Sequence, residues 1–234
     1  MDILDTFAEA FRLVWRLDAD LVEIVGLSLR VSLSAVALAS LIGLPLGAAL
    51  ATRRFPGRGV LIIGANALMG LPPVVAGLAV YLMLSRAGPL GPLGLLYTPT
   101  AMIIAQTVLI TPIVTALTRQ VVADLDVRHG EQLRIMGASG WARIGTLLYE
   151  GRHALGTVAL AGLGRALAEV GAVMIVGGNI DHVTRVMTTA IALETSKGNL
   201  GLALGLGTVL LILAVAINAG VGAMQRRPQV RAHG

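Results

Sequence analysis

Residues 119–152 read RQVVADLDVRHGEQLRIMGASGWARIGTLLYEGR, a polar stretch with five arginines between two long apolar ones. On its N-terminal side, 99–118 carries no charge, and on its C-terminal side 153–177 is apolar apart from its histidine, Arg165 and Glu169. Uncharged apolar stretches of about 20 residues are what a helix needs to cross a bilayer. The polar stretch is therefore read as a loop between two membrane helices. Its midpoint, Gly137-Ala138-Ser139-Gly140, marks a turn between short helices at 127–136 and 141–149. Asp124 and Asp126 are placed to cap the first, and Ser139 the second. Nothing in the loop has the make-up of a catalytic centre. A solvated helical hairpin of Arg, Asp and Glu is a docking element, which suggests a membrane subunit driven by a separate motor.

Outward from this loop the rest of the chain is mostly membrane. Of its 234 residues 56% are hydrophobic and only 13% are charged, where a soluble domain carries roughly 25% charge. Spans are expected at about 24–51, 60–84, 99–118, 153–177 and 200–224, all helical because lipid cannot satisfy open backbone groups. The expected fold class is thus an all-α membrane protein with five transmembrane helices in one domain, 21–224. Residues 1–20 precede it as an amphipathic helix and 225–234 follow as a tail. With the 119–152 loop in the cytoplasm, Arg53, Arg54, Arg58, Arg119, Arg128, Arg134, Arg143, Arg152, Arg226, Arg227 and Arg231 lie on that side. Arg12, Arg16, Arg30, Arg86, Arg185 and Lys197 lie on the other. The excess places the N-terminus outside and the C-terminus inside. Phe7, Phe11 and Trp15 recur every four residues in the first helix. That pattern suits either a membrane surface or the edge of the bundle itself. On the outer side, 178–199 is expected to hold a short amphipathic helix, with Val183, Val186, Met187, Ala190 and Ile191 on its apolar face.

Several chemistries are excluded. There is no cysteine, hence no disulfide or thiolate chemistry. The only lysine, Lys197, is not in a phosphate-binding loop, so the chain has no such ATP site of its own. The four histidines lack metal-ligand spacing, and no hydrolase motif occurs. The basic residues are not interleaved with aromatics, which argues against nucleic acid. Met1-Asp2-Ile3 does not begin a signal peptide. No cofactor, metal or catalytic residue is expected on this chain.

Inside the membrane, three features are candidates for a translocation path. Arg165 and Glu169 stand four residues apart and share a helix face. Each charge costs roughly 2.5–3.5 kcal/mol at a span centre, so the pair points at the bundle interior or a wet cavity. It serves either beside a pathway, attracting an anion, or as a structural lock. Thr107, Thr111 and Thr115, with Gln106 adjacent, form a hydroxyl stripe that could line a path or bond a neighbouring helix. Gly70-Leu71-Pro72-Pro73 should break the second span at depth, which is tolerated only inside protein or around a cavity. The G-x-x-x-G pairs Gly43/Gly47 and Gly201/Gly205 fit close helix packing, within the chain or with a second copy.

At the 119–152 loop the sequence resembles a known family. Glu131 followed by Gly137-Ala138-Ser139 is similar to the coupling loop of the membrane subunits of ABC importers, with departures at Gln132, Leu133 and Leu147-Leu148-Tyr149-Glu150. Gly164-Arg165-Ala166-Leu167-Ala168-Glu169-Val170-Gly171-Ala172, continued by Gly177-Gly178-Asn179-Ile180, looks like the fourth-helix motif of oxyanion permeases for molybdate, sulfate and tungstate. Leu71-Pro72-Pro73-Val74-Val75-Ala76-Gly77-Leu78, Gly88-Pro89-Leu90-Gly91 and 188–195 look most like the tungstate-type branch. The likeness covers nearly all of 24–224.

The resemblance implies a type I importer permease in a cell membrane, formed by a homodimer of this chain. Two cytosolic ABC ATPase subunits, which hold the ATP and Mg, would dock on Glu131, Gly137, Ala138 and Ser139. An extracytoplasmic oxyanion-binding protein would deliver tungstate or molybdate. The alternatives are a stand-alone secondary transporter or channel, an anchor with no transport role, or an ABC permease for sulfate or another anion. Secondary transporters often carry inverted repeats, and no clear internal repeat is present.

Overall fold

The computed structural model describes residues 3–226, with side chains from Thr6 to Met224. The helices in chain order are α1 (Ile3–Trp15), α2 (Ala19–Thr52), α3 (Arg58–Met69), α4 (Pro73–Leu84), α5 (Pro99–Ile135), α6 (Gly140–Glu150), α7 (Arg152–Leu167), α8 (Gly171–Gly177), α9 (Met187–Lys197) and α10 (Leu200–Arg226). No strand occurs among the described residues. The chain is an all-α membrane protein. Helices α2, α5 and α10 are each long and apolar enough to cross a membrane. The pairs α3/α4 and α7/α8 bend by 106° and 60°, and bring the number to five if each pair is one span. Residues 227–234, most of the expected tail, lie outside the described residues.

Two expectations need correction. The stretch 119–152 does not begin as a loop, because α5 runs unbroken for 37 residues from Pro99 to Ile135. At about 1.5 Å per residue it is about 55 Å long, well beyond the roughly 30 Å of hydrocarbon. Asp124 and Asp126 therefore sit inside a helix and cap nothing. The stretch 153–177 is not one helix either. It stops at Leu167 and restarts at Gly171.

By their contacts the described residues fall into two compact units, one within 1–35, 72–106 and 164–216, the other within 36–71, 107–163 and 217–234. In the second unit α2 lies against α5 through glycines. A Cβ on Gly43 would meet Val114 Cγ1 at 2.9 Å, and one on Gly47 would meet the Thr115 carbonyl at 2.5 Å. Below this contact Ala48, Val122, Ile144 and Leu147 form a buried cluster joining α2, α5 and α6. Without a hydrophobic driving force between helices in lipid, such close approach supplies the dispersion contacts that hold them. In the first unit α4 and α8 meet the same way, since a Cβ on Gly77 would stand 2.7 Å from Ala172 Cα. Gly201 and Gly205 of α10 face Glu9 and Ala10 of α1. Both G-x-x-x-G pairs thus have partners within this chain.

Candidate functional site

The hairpin of α5 and α6 is built from local signals. Gly137 adopts φ 71°, a left-handed conformation that costs other residues about 1–2 kcal/mol. It ends α5, and the N–H groups of Gly137 and Ala138 donate to the carbonyls of Arg134 and Leu133 at 3.0 Å. Ser139 then caps α6, its hydroxyl accepting from the Ala142 N–H at 3.3 Å. Glu131 and Ser139 are exposed and Ala138 is half-buried. Around them the tip presents Ile135, Met136 and Trp141, exposed by 80%, 74% and 67%. These apolar residues give no signal in the sequence, where their i, i+1 spacing suggests no face.

The hairpin is also braced. Asp126 on α5 accepts from Arg143 on α6, with Nε at 2.7 Å, and the pair is mostly buried. Gly130 leaves room for it, because a Cβ there would meet Asp126 Oδ1 at 2.7 Å and Arg143 Nη2 at 2.8 Å. From the end of α2, the Arg53 guanidinium lies 4.1 Å over the Trp141 ring, a cation–π contact.

In the other unit the two helix breaks adjoin. Pro72 precedes α4 and Pro73 is its first residue, where a missing N–H costs nothing. Val74 packs on Gly171 at the start of α8; a Cβ on that glycine would meet Val74 Cγ2 at 2.8 Å. Pro72 and Pro73 are thereby brought near the break that holds Glu169. Arg165 Nη1 donates to Glu169 Oε2 at 3.0 Å, as their spacing predicts. Yet Glu169 lies beyond the end of α7, and its Oε1 accepts from the Ala172 N–H at 3.0 Å. One carboxylate thus binds the last turn of α7 and caps α8. The Glu169 side chain is 3% exposed, while that of Arg165 is 39% exposed.

Carbonyls at this break find donors on other helices. Gln106 Nε2 donates to the Ala166 carbonyl at 3.1 Å, and the Thr188 hydroxyl of α9 donates to that of Glu169 at 2.7 Å. Ser28 of α2 accepts from the Met187 N–H at 2.8 Å. Gln106 is visible in sequence as a lone amide in an apolar span, whereas Thr188 carries no signal. Of the threonine stripe, Thr111 donates back to the Thr107 carbonyl and Thr115 to that of Thr111, both at 2.7 Å. Thr107 and Thr111 belong to the other unit.

The connector after α8 is tightly specified. Gly178 has φ 72°, and a Cβ there would stand 2.9 Å from the Tyr97 ring. Thr184 and Thr189 are buried. Thr184 donates to the Gly177 carbonyl and accepts from the Ile180 N–H at 2.9 Å. His182 meets Glu23 at 2.9 Å. Its pKa is raised by the hydrogen bond and charge of Glu23, then by Asp181, against an opposing effect of desolvation, with Asp20 adding least. Glu194, which closes α9, is held below the usual carboxylate range chiefly by its hydrogen bond to Lys197. Among the described residues no group of three or more His, Asp or Glu could hold a metal ion.

Apolar helices able to span a membrane, two of the spans broken, define an integral membrane protein. Comparison with known proteins places it more narrowly. It is 41% identical over 204 residues to a probable anion ABC transporter permease protein of Haloferax volcanii, covering 85% of this chain and 88% of the relative. The tungstate uptake system permease protein TupB of Peptoclostridium acidaminophilum is 39% identical over 95% of this chain and 98% of its own. TupB of Campylobacter jejuni is 41% identical over 64% of this chain and 63% of its own. Sulfate transport permeases match at lower identity. No protein-family profile matches the sequence. The chain belongs to the permease proteins of ABC transporters. It is an integral membrane protein and a transport component rather than an enzyme. The family excludes the stand-alone transporter and the passive anchor.

Proposed function

We propose that this chain is the pore-forming subunit of an importer for tungstate or a related tetrahedral oxyanion such as molybdate. The observation that carries the cargo is the 39% identity to a tungstate uptake permease across 95% of the chain. Two copies form the pore. Separate ATPase subunits, holding ATP and Mg, dock on the tip from Glu131 through Ser139, with Ile135, Met136 and Trp141 as its apolar contact. A binding protein delivers the anion from the other side. The arginine excess on the hairpin side supports an outside N-terminus and a cytoplasmic C-terminus. ATP binding closes the motor and swings the hairpins, opening the bundles outward, and hydrolysis resets them. Along the path, Arg165 offers a guanidinium whose charge-assisted hydrogen bonds suit a dianion, beside Glu169, Pro72 and Pro73. In the other unit, the path is assigned to Thr107 and Thr111.

The test is reconstitution in liposomes with the ATPase and binding protein. Labelled tungstate should accumulate only with ATP, and excess sulfate should compete poorly. Uptake indifferent to ATP defeats the proposal, and full competition by sulfate reassigns the cargo. Gly137→Trp should abolish pull-down of the ATPase while the chain stays in the membrane. Undiminished pull-down places the docking surface elsewhere.

A further inference from the structure

Helix α1 divides into three flanks. One packs on this chain, with Thr6 and Ala10 buried at 4% exposure each. There the Glu9 carboxylate lies over the first turn of α10, so close that a Cβ on Gly201 would meet it at 2.6 Å. An anion is favoured at a helix N-terminus, which anchors α1 to the bundle. At about 100° per residue, the next flank holds Phe7, Phe11 and Trp15, exposed by 59%, 68% and 78%. The Phe11 and Trp15 rings stack at 5.9 Å. The third flank holds Arg12 and Arg16, both exposed.

Just beyond α1, Leu17 is a further exposed apolar residue. This residue has φ 50°, a conformation for which glycine or asparagine is the easier choice, and its side chain is 70% exposed. The strain is retained at a residue that directs an apolar group outward. Asp18 then caps α2, its Oδ1 accepting from the Asp20 N–H at 3.2 Å. The aromatic flank therefore ends where a membrane-crossing helix begins.

We propose that this flank is a lipid-docking surface, with α1 lying in the bilayer interface beside the bundle. A helix of 13 residues is about 20 Å long, too short to cross about 30 Å of hydrocarbon. Its composition fits the interface. Phe and Trp sink to the level of the upper acyl chains, and arginines a third of a turn away reach headgroup phosphates. The exposed apolar flank of α2, including Val22 and Leu33, continues the surface into the membrane. This arrangement keeps α1 on the chain's own bundle and leaves the aromatics to lipid rather than to a second copy. It does not depend on the cargo.

The chain has two tryptophans, Trp15 and Trp141, so Trp141→Tyr leaves Trp15 as sole reporter. The full chain is reconstituted in phosphatidylcholine vesicles carrying bromines at shallow, middle or deep acyl positions. Trp15 emission should be blue-shifted and quenched about twofold more by shallow than by deep bromines. Phe7→Ser with Phe11→Ser should weaken that quenching while the helical circular dichroism is retained. A Trp15→Cys variant supplies a single thiol in a chain that otherwise has none. Protection from every brominated lipid, with a thiol cross-linker joining two chains of that variant, assigns the face to a second copy and overturns the proposal. Red-shifted emission quenched by aqueous iodide overturns it as well.

Discussion

The two broken spans reach similar ends by different means. The α3/α4 break is made by the chain itself. Gly70 ends α3, Pro72 lacks the N–H that would continue it, and Pro73 disfavours helical geometry at Pro72; the bend there is 106°. The α7/α8 break has no proline and bends by 60°. It persists because Arg165, Gln106 and Thr188 satisfy the carboxylate and carbonyls that the interruption frees. One break is written locally, the other depends on tertiary partners, and substitution should separate them.

The largest effect is expected at the charged pair. Arg165→Ala should destabilise the purified protein by about 3 kcal/mol, the lower end for losing one partner of a buried pair because Arg165 is partly exposed. Glu169→Gln keeps an acceptor for the Ala172 N–H and should cost less. Equal thermal midpoints for the two variants break the argument. Next, Gln106→Leu removes one of two donors to the Ala166 carbonyl, which keeps the Glu169 N–H at 3.2 Å, and it and Thr188→Val should each cost about 1 kcal/mol. Thermal unfolding followed by circular dichroism ranks them.

At the proline break, Pro73→Ala should cost under about 1 kcal/mol, since a first helical position tolerates either residue. Gly70 and Pro72 remain, so spin labels flanking 70–73 should report an unchanged distance. Straightening after this single change would put the whole break on Pro73. The gentlest test uses pH. His182 carries a raised pKa, so the Glu23 contact is at full strength below its ordinary 6.5 and is lost as pH rises through the raised value. Hydrogen exchange across 178–186 should quicken over that window, and His182→Gln should remove the pH dependence.

The same contrast explains what the sequence could tell. Gly70-Leu71-Pro72-Pro73 and Gly137-Ala138-Ser139 act within a few residues of themselves, so both interruptions are legible. The extent of α5 is not. Between Thr118 and Ile135 only Gly130 weakens a helix, and two aspartates that favour caps invite a boundary. Asp126 instead pairs with Arg143, 17 residues away, which no local pattern announces. Arg165 and Glu169 read as a pair, and they are one. That the same carboxylate also caps a second helix follows from the break, which stands on partners in α5 and α9.

The brace at the hairpin has a mechanical consequence. A lever delivers displacement only if it is stiffer than what it moves. Asp126–Arg143 ties the two arms together at their waist, Arg53 clamps Trp141 near the tip, and the Ala48, Val122, Ile144 and Leu147 cluster fills the root. Force applied at Ile135, Met136 or Trp141 therefore passes directly to α6 and to the adjoining ends of α2 and α5. Little of it is dissipated in flexing the turn at Gly137. On the proposed docking of an ATPase at this tip, removing the Asp126–Arg143 tie would leave the contact surface in place but make a slack joint of it, so that ATP turnover and transport should come apart.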